Sequence, residues 1–250
     1  MSPAAPHAVR ARGFHSVTRS AHESLSRELS SGDSRTLSFL AAGANDDPPA
    51  DADLIAAVFR GDAALVEQLL ADPARARLIN ARTATRGTAL ILAAERGHAA
   101  VIGALLAAGA DFELDDVYGG SALFCAASAG HFDAVGVLLA AGASQRVRRI
   151  NDFASPLLRA ARHGHTRVVD LLISKGVGDA GPDLNARDKQ GRTALMYAAQ
   201  LGALEIVQYL INAGADVTLR SADGVTAAKW ALERKHDAIA LALESAAKKR

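Results

Sequence analysis

"TALILAAERGHAAVIGALLAAGAD", residues 88–111, sets two short apolar runs on either side of Gly97-His98. Thr88 opens it with a hydroxyl able to accept an otherwise unpaired backbone N–H, the job of a helix N-cap. Apolar residues then recur at helical spacing as far as Gly97, which can take the left-handed backbone that ends a helix. The second run closes the same way at Gly109. The stretch therefore predicts a helix, a tight turn and a second helix. Both fall short of the ~12–15 residues that a lone helix needs, so each depends on neighbours.

Those neighbours recur along the chain. "SALFCAASAGH" (121–131), "SPLLRAARHGH" (155–165), "TALMYAAQLGA" (193–203) and "TAAKWALERKH" (226–236) repeat the first run, and a second apolar run follows each. Their starting residues, 88, 121, 155, 193 and 226, are 33, 34, 38 and 33 positions apart. "DLIAAVFRGDAALVEQLLADP" (53–73) is a looser copy, aligning with 89–109 at a shift of 36. Pairs such as Ala93-Ala94 and Ala126-Ala127 let the first helices approach closely, and pairs such as Leu105-Leu106 and Leu138-Leu139 supply the inner stripe of the second.

This pattern resembles the ankyrin-repeat family, whose period is 33 residues. The resemblance implies an all-α solenoid of stacked helix-turn-helix units joined by short hairpins. Six units are expected, at about 53–82, 83–115, 116–148, 149–187, 188–220 and 221–250. Residues 1–21 read as a disordered arm, with an Arg-rich organellar presequence as the alternative. Residues 22–52, which contain "RTLSFLAAGAN" (35–45), read as a degenerate capping repeat and linker; a chance apolar patch is the competing reading. The last unit is expected to cap the other end, since Lys235 replaces the helix-ending glycine and Lys248, Lys249 and Arg250 are polar. The family's signature His, directly after Leu90, Leu123, Leu157 and Leu195, is replaced by Ile91, Phe124, Leu158 and Met196, so the polar network there should be weaker.

Bulk properties narrow the function. Half of the 250 residues are hydrophobic but only 4% aromatic, and the formal net charge is +1, which gives no global pull toward nucleic acid or membrane. The lone Cys125 leaves no internal disulfide and suits a reducing, cytoplasmic setting. No apolar run approaches the ~18–20 residues of a membrane span. His98, His131 and His165 occur once per unit, and packed helices should hold them ~10 Å apart. They are expected to bond loop backbone instead of a metal. Cys125, His131 and Asp133 do not form a nucleophile site, because Cys125 shares its slot with Leu92, Arg159, Tyr197 and Trp230. No catalytic residue, cofactor or metal is expected.

The resemblance implies a monomeric, non-enzymatic adaptor, scaffold or inhibitor that binds another protein on a concave face. Contacts would come from hairpin tips (Ala84 and Thr85, Val117 and Tyr118, Asn151 and Asp152, Lys189 and Gln190) and from helix ends such as Arg162, His163 and Gln200. Charge concentrates between 146 and 167, where Arg146, Arg148, Arg149, Arg159, Arg162 and Arg167 face one acid, Asp152. Arg159 and Arg162 share a helix face. Tyr197, one unit on in the slot of Arg159, should lie beside it, with Trp230 next. An acidic protein segment is the expected ligand. A solvated charged face is the bland alternative, and a nucleic-acid or phosphate site at Arg146–Arg167 is the other. The extra residues near "KGVGDAGPD" (175–183) form a loop that either shapes the groove or does nothing.

Overall fold

A computed structural model describes residues 51–83, 87–146, 148–175 and 181–248. The expected arm, nearly all of the expected cap, the tip residues Ala84 and Thr85, and 176–180 of the inserted loop lie outside the described residues.

Thirteen helices and no strand occur among the described residues. They come as pairs. α1 (Ala52–Arg60) and α2 (Ala63–Leu70) are followed by a single turn, α3 (Pro73–Ala76). The later pairs are α4 (Ala89–Arg96) with α5 (Ala99–Ala107), α6 (Ala122–Ala129) with α7 (Phe132–Ala140), and α8 (Pro156–Arg162) with α9 (Thr166–Lys175). α10 (Ala194–Leu201) with α11 (Leu204–Asn212), and α12 (Ala227–Glu233) with α13 (Asp237–Lys248), complete the stack. First helices pack in the order α1, α4, α6, α8, α10, α12, and second helices in the order α2, α5, α7, α9, α11, α13. No helix among the described residues is long and apolar enough to cross a membrane.

Local chemistry explains each boundary. The hydroxyls of Thr88, Ser121, Ser155, Thr193 and Thr226 accept from Ile91, Phe124, Leu158, Met196 and Lys229 N–H at 3.2–3.4 Å. Such caps are worth ~1 kcal/mol each. Pro156 sits at the start of α8, where its missing N–H leaves nothing unpaired. The residues in the signature-His slot turn inward: Ile91, Phe124, Leu158 and Met196 are at most 3% exposed. That slot trades a polar network for a continuous apolar seam, while the cap hydroxyl still serves the backbone.

The turn histidines behave differently from the expectation. Their partners are carbonyls of the preceding unit's first helix, not loop backbone. Nε2 of His98, His131 and His165 donates to the carbonyl of Phe59 (3.3 Å), Glu95 (3.0 Å) and Ser128 (3.1 Å). These are the orphan acceptors at a helix C-terminus. Each ring also lies against the glycine that ends that helix. A Cβ on Gly130, at φ 81, would sit 2.6 Å from His165 Nδ1. So each of these three units stitches the end of the one before it.

Candidate interaction surface

Five hairpins connect the units, each closed by a backbone N–H from its base residue. Thr83, Asp116, Asp188 and Ser221 donate to the carbonyls of Gly87, Gly120, Arg192 and Val225, four residues on. In the third hairpin Arg149 donates to Ala154, five residues on. That extra residue matches the 34-residue step from Ser121 to Ser155. Neighbouring tips are also joined: Ile150 N–H donates to Tyr118, Lys189 to Asp152 and Ala222 to Gln190, at 2.9–3.0 Å. The tips of the second to fifth hairpins therefore form one hydrogen-bonded row.

Side chains at the base set what the row displays. Asp116 Oδ1 accepts from Tyr118 and Gly120 N–H at 2.7 and 2.8 Å. Asp188 Oδ1 does the same for Gln190 and Arg192, both at 2.9 Å, and its Oδ2 accepts the Tyr197 hydroxyl at 2.6 Å. Burial and that bond raise the Tyr197 pKa, keeping the phenol a donor. Arg149 occupies the same base position in the third hairpin, so that turn lacks the base carboxylate; Asp152 Oδ1 instead accepts from Ala154 N–H at 3.3 Å. Its guanidinium lies 5.0 Å from the Tyr118 ring and 5.4 Å from Phe124.

From Arg149 a series of cations and rings continues along the first helices. Arg159 lies 5.7 Å from Phe124 and bonds Asp152 Oδ2 at 2.5 Å. Arg162 lies 5.1 Å from Tyr197, and Arg192 sits 5.7 Å from Tyr197 and 4.6 Å from Trp230. All are within the ~6 Å range of a cation–π contact. Arg159 makes its cation–π contact with Phe124 and feels Tyr197 only through charge, while the Tyr197 ring lies under Arg162 and Arg192. Among the described residues no carboxylate stands within ion-pair reach of Arg149, Arg162 or Arg192; Arg159 alone has Asp152. The Nε atoms of Arg149, Arg159 and Arg192 and the Trp230 indole nitrogen are buried without an acceptor.

Other expected site residues go elsewhere. Arg148 pairs with Asp183 at 2.9 Å, and Arg146 Nε donates to Gly181 O, so both brace the far side of the inserted loop. Arg167 lies over Phe132, on the second-helix layer. The six arginines of 146–167 therefore do not make one patch. Asn151, Lys189 and Gln190 are exposed at the tips, and Gln200 is half-buried at the end of α10. His163 stacks on His165 with ring centroids 5.9 Å apart. Its pKa is lowered by burial and by Arg159, His165 and Arg162.

Sequence reasoning missed Phe124, Asp188 and Arg192. Phe124 was read only as a departure from the family pattern, and Arg192 stands one residue before a helix cap, where its reach across a unit is invisible. Cys125 is buried, and desolvation with Glu95 and Asp116 raises its pKa well above the ordinary thiol value. Native protein should therefore react with a thiol reagent such as Ellman's only after unfolding. Rapid native labelling would contradict this burial. No His, Cys, Asp and Glu group able to hold a metal occurs among the described residues.

Paired short helices, each packed only on its neighbours, with hairpins in a bonded row, define a helical-repeat solenoid. A family model described as ankyrin repeats (3 copies) matches residues 54–149 and 147–221. The chain belongs to the ankyrin-repeat family, whose repeats generally mediate protein–protein interaction. It is 48% identical over 77 residues to the rat "Ankyrin repeat and SAM domain-containing protein 6", 30% of this chain and 8% of that protein. It is 44% identical over 63 residues to the rice "Probable E3 ubiquitin-protein ligase XBOS32", 25% of this chain and 12% of that protein. The nematode (Caenorhabditis elegans) "Ankyrin repeat and KH domain-containing protein mask-1" is 40% identical over 75 residues, 30% of this chain and 3% of that protein. The match spans only a small part of these relatives.

Proposed function

We propose that the chain is a non-enzymatic adaptor, scaffold or inhibitor, monomeric and cytoplasmic, whose hairpin face takes an acidic segment of a partner protein. One observation carries this reading: four arginines, Arg149, Arg159, Arg162 and Arg192, lie along one face against aromatic rings, and only Arg159 has a carboxylate partner. Arg and aromatic side chains dominate binding energy at protein interfaces, and a ring-backed guanidinium is already ordered before a ligand arrives. Nearby carboxylates are taken: Asp116 and Asp188 by turn N–H groups and Asp152 by Arg159. An incoming carboxylate supplies the missing charge. The dispersal of Arg146, Arg148 and Arg167 removes the continuous basic track that a phosphate backbone would need.

Arg162 is exposed, so Arg162→Glu tests the reading without disturbing the core. Affinity capture with mass spectrometry on wild type and variant should lose the acidic partner at least about tenfold. An unchanged partner set, with an unchanged melting curve, removes this face from consideration.

His163 adds a pH signature. Its lowered pKa means that the free chain holds it neutral at pH values where an unperturbed imidazole, near 6.5, is partly charged. An acidic segment beside Arg159 and Arg162 offsets their repulsion and raises that pKa, so binding takes up a proton. Affinity should strengthen as pH falls toward the lowered pKa that His163 has in the free chain. Titrating the His163 ring protons by NMR with and without partner checks the sign, and a pKa that falls on binding contradicts it.

A further inference from the structure

The third hairpin departs from its neighbours in ways that the fold does not require. Where the second, fourth and fifth hairpins place Gly119, Gly191 and Gly224 in left-handed backbone at φ 75, 69 and 75, this one places Phe153 at φ 55. A bulky residue there is strained, and strain of this kind collects at functional sites. Its ring adds little to the core, being 50% exposed. Arg149 replaces the residue whose carboxylate ties the second and fourth turns. Ile150, 67% exposed, donates its N–H to Tyr118 O and packs on Gly119, so the second and third tips form one surface. Val117, on the second tip, is 44% exposed. The next two tips show Lys189, Gln190, Ala222 and Asp223 instead. An apolar pad thus lies at the end of the cationic row, beside Arg149, and Asp152 of the same hairpin links it to Arg159.

We infer that Val117, Ile150 and Phe153 form an apolar anchor site, and that the occupant of this face is a protein segment carrying one large apolar side chain close in sequence to its carboxylates. The inference rests on the acidic-segment reading above and adds its hydrophobic determinant. Charge complementarity fixes the occupant's orientation, with carboxylates toward Arg149, Arg159 and Arg162 and the apolar side chain on the pad. Sequence and strain that weaken this turn locally are explained by the surface that they expose.

The variants Phe153→Gly and Phe153→Asn test this cleanly, because both residues accept left-handed backbone and should leave the melting temperature equal or higher. The probe is a phage-displayed random peptide library panned on the full chain, with affinities of enriched peptides measured by fluorescence polarisation. Enriched peptides are expected to pair acidic residues with Leu, Ile, Phe or Trp, and to bind each Phe153 variant about tenfold more weakly, the scale of an interface anchor. Replacing the peptide's apolar residue by Ala should cause the same loss in wild type and little further loss in Phe153→Gly.

Failure to enrich peptides of that composition overturns the inference. So does unchanged affinity in Phe153→Gly; if Arg162→Glu still abolishes binding, the acidic-segment reading survives without the pad. Loss in Phe153→Gly with full binding retained by Arg162→Glu separates pad from cations and overturns both. A concentration-dependent dimer in light scattering that Phe153→Gly abolishes assigns the pad to a second copy of this chain and overturns the inference as well.

Discussion

Gly130→Ala is expected to lower the unfolding free energy by about 3 kcal/mol, although it adds one methyl group. Left-handed backbone at φ 81 costs a β-carbon residue ~1–3 kcal/mol. The new carbon would also lie 2.6 Å from His165 Nδ1, so the ring must move. Moving it breaks the bond from His165 Nε2 to the Ser128 carbonyl, worth ~1 kcal/mol, and strands an acceptor at the end of α6. The two effects share one ring, so they should not add independently. In a double-mutant cycle the steric share of the loss disappears once His165→Ala has been made, leaving the backbone share. Urea denaturation of the four proteins measures this. A loss under ~1 kcal/mol for Gly130→Ala, or full additivity with His165→Ala, would show that the ring and the glycine are not coupled.

That coupling marks where sequence reading stops. Thr88, Ser121, Ser155, Thr193 and Thr226 could be read as caps because a cap acts within three residues. The glycines could be read as helix ends because left-handed backbone is a property of the residue itself. The histidine partners could not, because stacking carries each ring onto a carbonyl 36–39 residues earlier. The same limit explains the surface. Slot equivalence placed Tyr197 beside Arg159, yet equivalent slots on packed helices are ~10 Å apart. A long guanidinium from the end of α8, Arg162, and one from a hairpin, Arg192, reach the ring instead. The one-residue excess in the third hairpin was visible in the 34-residue step. Its consequence, Phe153 in a glycine's backbone position, shows only when the hairpins are laid over one another.

Asp188→Ala should be damaging at a distance from any ligand. The carboxylate is 7% exposed and gathers three donors: Gln190 N–H, Arg192 N–H and the Tyr197 hydroxyl. Alanine keeps the backbone but leaves the Arg192 N–H and the buried Tyr197 hydroxyl without an acceptor. At ~1–3 kcal/mol for each stranded buried donor, a total loss of about 3 kcal/mol follows. The damage then spreads to the surface, because Tyr197 carries the ring under Arg162 and Arg192. Once its hydroxyl is free, those guanidiniums lose their platform and partner affinity should fall together with stability. Tyr197→Phe separates the two effects. It removes one bond, about 1 kcal/mol, but keeps the ring, so binding should hold while stability drops. Asp188→Asn lies between, since its amide oxygen still accepts from the two turn N–H groups. Chemical denaturation beside partner binding for these three variants gives the ranking. If Asp188→Ala and Asp188→Asn differ by less than ~0.5 kcal/mol, inside the range of an ordinary surface substitution, the turn acceptor is not what holds the hairpin against α10.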